Sequence, residues 1–373
     1  MRLLVDARPV VDAKGGGVGR VARHLLEAFV RLAADDEIVL ATTGSRPPSP
    51  DALPTGPNVR SIHVHIPNKL WSLACMTGFA ALDEELGRRA GNIDATFLPN
   101  LGFVGDLKRP HVLLLHDLSF LLEPAWFPPK ARWWHRAVDA ASQIRRATHL
   151  LAVSETTKHD AMRLLDIPRD RITVIPLGST ILPHPVVPAQ AGTPPEGFPL
   201  PASAGTGLAS GLRGNDRGRY VLALGANDPR KNASTAIEAV AALRREPGFE
   251  DIELKLVGRD GPISDEDLAD LYRHASAFLY PSWYEGFGLP LHEAAAFGTP
   301  CIASTAGALP ETAPPGTLFA DPAKPHHWVE ALKIVLSAST SGERSGMPIP
   351  LFLAQPWDKA ASILLEALRG VTH

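Results

Sequence analysis

The stretch Tyr280-Pro-Ser-Trp-Tyr-Glu-Gly-Phe-Gly-Leu-Pro-Leu-His-Glu293 follows an apolar run, Phe278–Tyr280, and enters a helical pattern over Leu289–Phe297. A strand, a glycine-bearing loop and a helix in that order make the part of an open α/β sheet where ligands collect, beyond the carboxyl end of the strand. Glu285 falls in the loop and Glu293 inside the helix. Between them Gly286 and Gly288 allow backbone geometries that bring N–H groups close to a ligand. The helix N-terminus behind them favours an anion such as a diphosphate. Carboxylates only accept hydrogen bonds, so the pair suits a ligand rich in hydroxyls, such as a sugar and a ribose. Two isolated glutamates would ordinarily be a solvated side chain and a surface ion pair. The glycine-bearing spacer and the following Ala294-Ala-Ala-Phe-Gly-Thr-Pro-Cys301 argue instead for a ligand site.

Outward from this stretch, apolar runs alternate with amphipathic ones. Strands are expected at Leu3–Val5, Ile38–Ala41, Ser61–Ile66, Ala95–Leu98, Val112–Leu115, Leu150–Val153 and Ile172–Ile175, and again at Tyr220–Leu224, Ile252–Val257, Phe278–Tyr280 and Pro300–Ala303. Helical patterns occupy Val18–Leu32, Leu70–Arg89, Ala131–Arg146, Glu155–Leu165, Ala233–Arg245, Glu266–His274, Leu289–Phe297, His327–Leu336 and Lys359–Leu368. Such alternation predicts α/β architecture with parallel sheets. Residues 183–218 break it: these 36 residues hold 7 Pro and 7 Gly and read as a linker or exposed insertion. The expected domains are therefore 1–182, the linker 183–218, a second domain 219–352, and a closing helix in 353–373 with the option of crossing back to the first domain.

The whole chain has 373 residues, 45% of them hydrophobic, and a net charge of -3. That suits two ordinary domains and gives no reason to expect nucleic acid as a partner. Cys75 and Cys301 lie far apart in apolar stretches, which predicts buried thiols in a reducing compartment rather than a disulfide framework or zinc site. Asp6 interrupts the first apolar run, unlike a secretory signal, and no window resembles a membrane span. The expected location is cytoplasmic, with room for peripheral contact at the inner face of the membrane.

Several further stretches occur in order: Asp6-Ala-Arg-Pro9, Gly15-Gly-Gly-Val-Gly-Arg20, His116-Asp-Leu-Ser-Phe120, Ala152-Val-Ser-Glu155, Ile175-Pro-Leu-Gly178 and Pro229-Arg-Lys-Asn232. Together with Glu285–Glu293 they resemble the retaining glycosyltransferases of family four, in the mannosyltransferase-like branch. The resemblance implies the GT-B fold, in which two Rossmann-like domains face each other across a cleft. It implies that Glu285 binds donor-sugar hydroxyls and supports the reacting centre, that Glu293 holds the ribose, and that Gly286, Phe287, Gly288 and Leu289 meet sugar and phosphate. Arg230 and Lys231 would neutralise the departing diphosphate, a role that fits fixed cations without any metal. Gly16 and Gly17 would approach the donor phosphate from across the cleft, and His116 would face the donor sugar while Asp117 is structural.

The expected ligands are a GDP- or UDP-linked sugar and a glycan or lipid-linked acceptor, with no cofactor or metal beyond the donor. The favoured reaction moves mannose from GDP-mannose. Alternatives are a sugar-nucleotide epimerase or hydrolase on the same fold, or a non-catalytic nucleotide-sugar-binding protein. Two features depart from the family pattern. Gly225 is followed by Ala226 where relatives often carry arginine, and Val257-Gly258 joins Ser264 almost directly. The second domain is thus short by a helix–strand unit of about 25 residues. Three other features carry less. Trp126–Arg136 mixes aromatic and basic side chains and reads equally as sheet-packing aromatics or a membrane-facing helix. Asp265-Glu266-Asp267 reads as a helix start rather than a metal motif, and His63 and His65 lack a third ligand.

Overall fold

The computed structural model describes residues 1–12, 16–181, 219–258, 263–340 and 356–372. The expected linker at 183–218 and the end of the second domain at 341–352 lie outside the described residues, as does most of the shortened passage, 259–262.

The first sheet is wholly parallel, in the order β3-β2-β1-β4-β5-β6-β7. Its strands are β1 (Arg2–Asp6), β2 (Glu37–Thr43), β3 (Val59–Val64), β4 (Ala95–Leu98), β5 (His111–Leu115), β6 (His149–Ala152) and β7 (Ile172–Val174). β4 and β5 are buried along their whole length, as continuous apolar strands covered on both faces must be. The second sheet is also parallel, with five strands among the described residues in the order β12-β11-β10-β8-β9. These are β8 (Tyr220–Leu224), β9 (Glu253–Val257), β10 (Ala277–Tyr280), β11 (Cys301–Ser304) and β12 (Leu318–Ala320). β9 forms an edge and is only partly buried.

Four readings of the periodicity need correction. The pattern over Leu70–Arg89 is two helices, Asn68–Met76 and Leu82–Ala90, because Gly78 turns left-handed at φ 77° and ends the first. Likewise Ala131–Arg146 divides into Pro129–Ala137 and Ala140–Arg146 at Asp139, whose φ of 50° only a short polar side chain tolerates readily. The strand expected at Ser61–Ile66 lies two residues earlier, drawn by its register with β2. The short strand β12 and the short helix Leu309–Thr312 gave too few residues for a period to show.

The closing helix, Pro356–Gly370, packs on the first domain. Ala360, Ala361, Leu364 and Leu368 are fully buried in one core with Leu25, Leu26 and Phe29 of the helix Gly16–Leu32 and with Leu3 and Val5 of β1. Trp357 Nε1 donates to the Ser179 carbonyl at 3.2 Å, and Arg31 and Arg369 pair with Asp358 and Asp36. Both cysteines are free and buried, and burial pushes the Cys75 thiol up to about 11 and Cys301 up to about 12. Among the described residues no helix is long and apolar enough to cross a membrane.

Leu364→Ala is expected to destabilise the protein by about 2–5 kcal/mol through the cavity it leaves. Denaturant unfolding monitored from the first domain reads this directly, and an unchanged midpoint would refute the shared core.

Candidate functional site

β8 and β10 are neighbours, so the loops leaving their carboxyl ends meet. The loop after β8 carries a short turn, Pro229–Lys231, and the loop after β10 carries Glu285. Lys231 Nζ lies 2.5 Å from Glu285 Oε1 and donates to the Tyr280 hydroxyl at 2.8 Å. The same ammonium sits 4.9 Å from the Tyr280 ring centroid. Burial and the charge of Glu285 hold the Tyr280 phenol well above its ordinary range, so it stays a neutral donor.

Local backbone chemistry sets this geometry. A Cβ on Gly225, the residue after β8, would stand 2.4 Å from Lys231 Cγ, and its φ is 85°. Only glycine leaves room for the lysine stem there. Asn232 anchors the loop by donating to the carbonyls of Pro281 and Pro322 at 3.1 and 2.9 Å. Trp283 N bonds the Arg230 carbonyl at 2.8 Å, tying the two loops together.

Arg230 points toward the first domain. Its guanidinium pairs with Asp228 at 2.8 Å and Asp117 at 3.4 Å and lies 5.2 Å from the Phe127 ring centroid. Burial disfavours its charge, but the hydrogen bond and charge of Asp228 outweigh it and raise its pKa above the ordinary range. Asp117 also accepts from the backbone N–H and hydroxyl of Ser119, opening the short helix Ser119–Leu122.

Glu293 lies in the helix Leu289–Ala296 and is completely buried. Its carboxylate accepts from the Thr180 hydroxyl at 2.5 Å and the Tyr272 hydroxyl at 3.1 Å, with Arg20 Nη1 at 3.6 Å. Thr180 and Arg20 belong to the first domain, so this carboxylate is shared across the cleft. Arg20 also pairs with Asp265 at 3.0 Å, while Ser264 caps that helix.

The glycine loops form the remaining wall. Gly286 lies against the His116 backbone: a Cβ there would meet the His116 carbonyl oxygen at 1.8 Å. His116 Nε2 is bonded to the Pro99 carbonyl at 2.9 Å, and burial lowers its pKa, keeping the ring neutral. Gly16 and Gly17 are exposed at the start of the helix Gly16–Leu32, and a Cβ on Gly17 would contact Leu289 Cδ1 at 3.8 Å. Phe287 stacks on His292 at 4.8 Å and Gly288 stands at the N-terminus of the helix Leu289–Ala296. Two helix N-termini thus approach each other across the cleft, beside two cations and two carboxylates. The arrangement can receive a polyhydroxylated anion.

The structure places Lys231, Arg230, Glu285, Glu293, His116, Gly16, Gly17 and Gly286, Phe287, Gly288 and Leu289 on the loops and helix starts described above. Sequence reasoning missed Tyr280, Tyr272, Thr180 and Arg20. Tyr280 and Arg20 lay inside quoted motifs, but their roles depend on contacts 49 and 273 positions away in sequence. Tyr284, whose hydroxyl donates to Asp160 of the first domain at 2.5 Å, was also missed. His63, set aside as a metal ligand, is bonded to Thr42 and to the Gly44 carbonyl.

The chain matches the family described as Glycosyltransferase Family 4 over residues 15–179 and that described as Glycosyl transferases group 1 over residues 260–346. It is 32% identical over 251 residues to O-antigen chain mannosyltransferase B of Escherichia coli, covering 60% of each chain. It is 32% identical over 213 residues to the MMP alpha-(1->4)-mannosyltransferase of Mycolicibacterium hassiacum, covering 51% of this chain and 45% of that relative. The chain thus spans between about half and three-fifths of the length of these curated relatives. Its fold is similar to that of sucrose-phosphate synthase from Thermosynechococcus elongatus, with TM-score 0.59 and 19% identity over 100% of this chain and 95% of that one. With two parallel sheets set face to face across the Lys231–Glu285 cleft and a matching family on either side of it, the chain has the GT-B fold and is similar to the family-four glycosyltransferases.

Proposed function

We propose that the protein is a retaining hexosyltransferase working in the cytoplasm, with mannose from GDP-mannose as the favoured donor and a glycan or lipid-linked polysaccharide as acceptor. The observation that carries this reading is the 2.5 Å contact between Lys231 and Glu285 beside the glycine loop Gly286–Gly288. A cation and a carboxylate held together there match the two demands of the reaction, a diphosphate that gains charge and a sugar whose hydroxyls need acceptors. The names of the Escherichia coli and Mycolicibacterium hassiacum relatives support mannose as the sugar.

In the proposed step the bond between the anomeric carbon and the diphosphate oxygen breaks as the acceptor hydroxyl oxygen bonds that carbon on the same face. The acceptor proton passes to the departing phosphate. Lys231 and Arg230 carry the charge that develops on the leaving group, which removes the need for a metal. Glu285, relieved of Lys231 by the phosphate, takes the sugar hydroxyls, and Glu293 takes the ribose in place of Thr180. His116, neutral and oriented by Pro99, faces the sugar from the opposite wall. The backbone of Gly16, Gly17 and the Gly286–Leu289 segment lines the phosphate path, with Phe287 packed behind it.

A thermal-shift panel of GDP, UDP, ADP and their sugar conjugates tests the donor. GDP and GDP-mannose are expected to raise Tm most, since a ligand at about 100 times its Kd adds about 2.7 kcal/mol. A selective shift with a uridine or adenosine nucleotide would overturn the guanosine assignment. Product analysis tests the reaction: nucleotide release must require an acceptor, as it would not for an epimerase, a hydrolase or a binding protein.

Lys231→Ala is expected to lower turnover by about 10²-fold or more. Full activity in a purified assay would remove Lys231 from the mechanism. Treatment with EDTA should leave turnover unchanged, and a loss restored by a divalent cation would show that the two basic side chains do not suffice. Gly286→Ala should cut kcat by at least about tenfold without unfolding either domain, because its Cβ collides with the His116 backbone and presses on Asp117 Cβ, both across the cleft. Wild-type kcat in that variant would show that this closed approach is not needed for turnover.

A further inference from the structure

One surface of the first domain is unused by the cleft chemistry. In the helix Asn68–Met76, Trp71 and Cys75 face inward and both donate to the Phe103 carbonyl, at 2.8 and 3.4 Å. That anchoring turns Leu70, Leu73 and Met76 outward, at 57%, 55% and 47% exposure. Phe79, just past the left-handed Gly78, is 89% exposed. A neighbouring helix continues the patch: the Phe103 ring meets Trp134 at 6.4 Å, and the adjacent Trp133 is 60% exposed. Large apolar side chains at this exposure and density mark a contact surface rather than ordinary scatter.

The charges around the patch identify its partner. Lys69 beside Leu70, and Lys130, Arg132 and Arg136 around Trp133, are exposed. No aspartate or glutamate occurs over residues 52–82 or 124–138. The rim carries a basic excess, with Glu123 and Asp139 exposed at either end of the second stretch, and that excess suits anionic lipid headgroups. Lysine and arginine stems lie along apolar surface with their heads in the headgroup layer, and tryptophan favours the same interface. The two helices are too short to span a bilayer but suit burial of one face in its outer few ångströms.

We propose that Leu70, Leu73, Met76, Phe79 and Trp133, rimmed by Lys69, Lys130, Arg132 and Arg136, form a docking surface for an anionic membrane. The basic edge of the surface adjoins Arg230 of the cleft through Phe127. Arg132 and Arg136 also line an open cavity of about 380 Å³ with Phe120 and Phe127, and Phe127 carries Arg230 on its face. An acceptor with an anionic, lipid-borne end would enter by this route. That consequence rests on the transferase reading, and the docking does not.

Flotation of the full chain with vesicles tests the proposal. Binding to phosphatidylcholine vesicles containing about 30 mol% phosphatidylglycerol should exceed binding to phosphatidylcholine alone by at least about tenfold and weaken in about 0.5 M salt. The Leu73→Ser/Phe79→Ser double variant and Trp133→Ser should each lose at least about tenfold of that binding with Tm unchanged, since these side chains are exposed in the folded state. Arg132→Glu should lose binding to the anionic vesicles selectively. The proposal fails if wild-type protein ignores the anionic vesicles, if the variants float as well as wild type, or if light scattering shows a dimer that Phe79→Ser dissociates. Transfer to a water-soluble acceptor should be unchanged in the double variant. Absence of such transfer in the wild type would refute the transferase reading while leaving the vesicle result standing.

Discussion

Lys231 and Glu285 meet at 2.5 Å in a site where both are largely removed from water. Neither could be placed there alone, because an unpaired buried charge costs far more than the pair returns. The contact therefore constrains its surroundings. It requires a glycine at 225 to clear the lysine stem, an asparagine at 232 to fasten the loop to Pro281 and Pro322, and parallel pairing of β8 with β10 to bring the two loops side by side. Tyr280 completes the arrangement by accepting from the ammonium in a pocket that keeps its own proton bound.

A second group of contacts joins the two domains through the same loops. Glu293 takes hydrogen bonds from Tyr272 on its own side and Thr180 on the other, with Arg20 opposite. Tyr284, next to Glu285, reaches Asp160, and Arg230 reaches Asp117. The groups that hold the domains together are thus largely those available to a ligand. On the proposed function, a diphosphate entering the cleft would exchange partners with these side chains rather than strip them bare. Such exchange lets closure and ligand binding share one set of charges at modest desolvation cost.

Much of this was legible before any coordinates. The alternation of apolar runs gave eleven of the twelve strands among the described residues, because buried parallel strands leave continuous Val, Leu and Ile runs. Glu285, Glu293, Arg230 and Lys231 stood out because each follows a strand or opens a helix, where side chains are free to face a ligand. The helix breaks at Gly78 and Asp139 were harder to see. Each is a single left-handed residue within an otherwise good amphipathic pattern. Thr180, Tyr272 and Arg20 were invisible as a group, since what unites them is one buried carboxylate and no spacing in sequence records it. The outward face of Asn68–Met76 was hidden for a related reason. Its apolar residues look like core until Trp71 and Cys75 fix which side turns in.

The expected shortening of the second domain after β9 can be set against the strand order. In β12-β11-β10-β8-β9 the two strands that carry the site, β8 and β10, lie inside the sheet, while β9 closes one edge. A helix–strand unit after β9 would have extended that edge. β9 is only partly buried, and the absence of such a unit would remove no neighbour from the loops bearing Lys231 and Glu285. What the edge does touch is the far end of the cleft. There Asn227 donates to the Gly258 carbonyl at 2.7 Å, and Arg20 bridges Asp265 and Glu293. The expected shortening would therefore bear on whatever binds beyond Glu293, while the charged pair at the centre of the sheet keeps its full support.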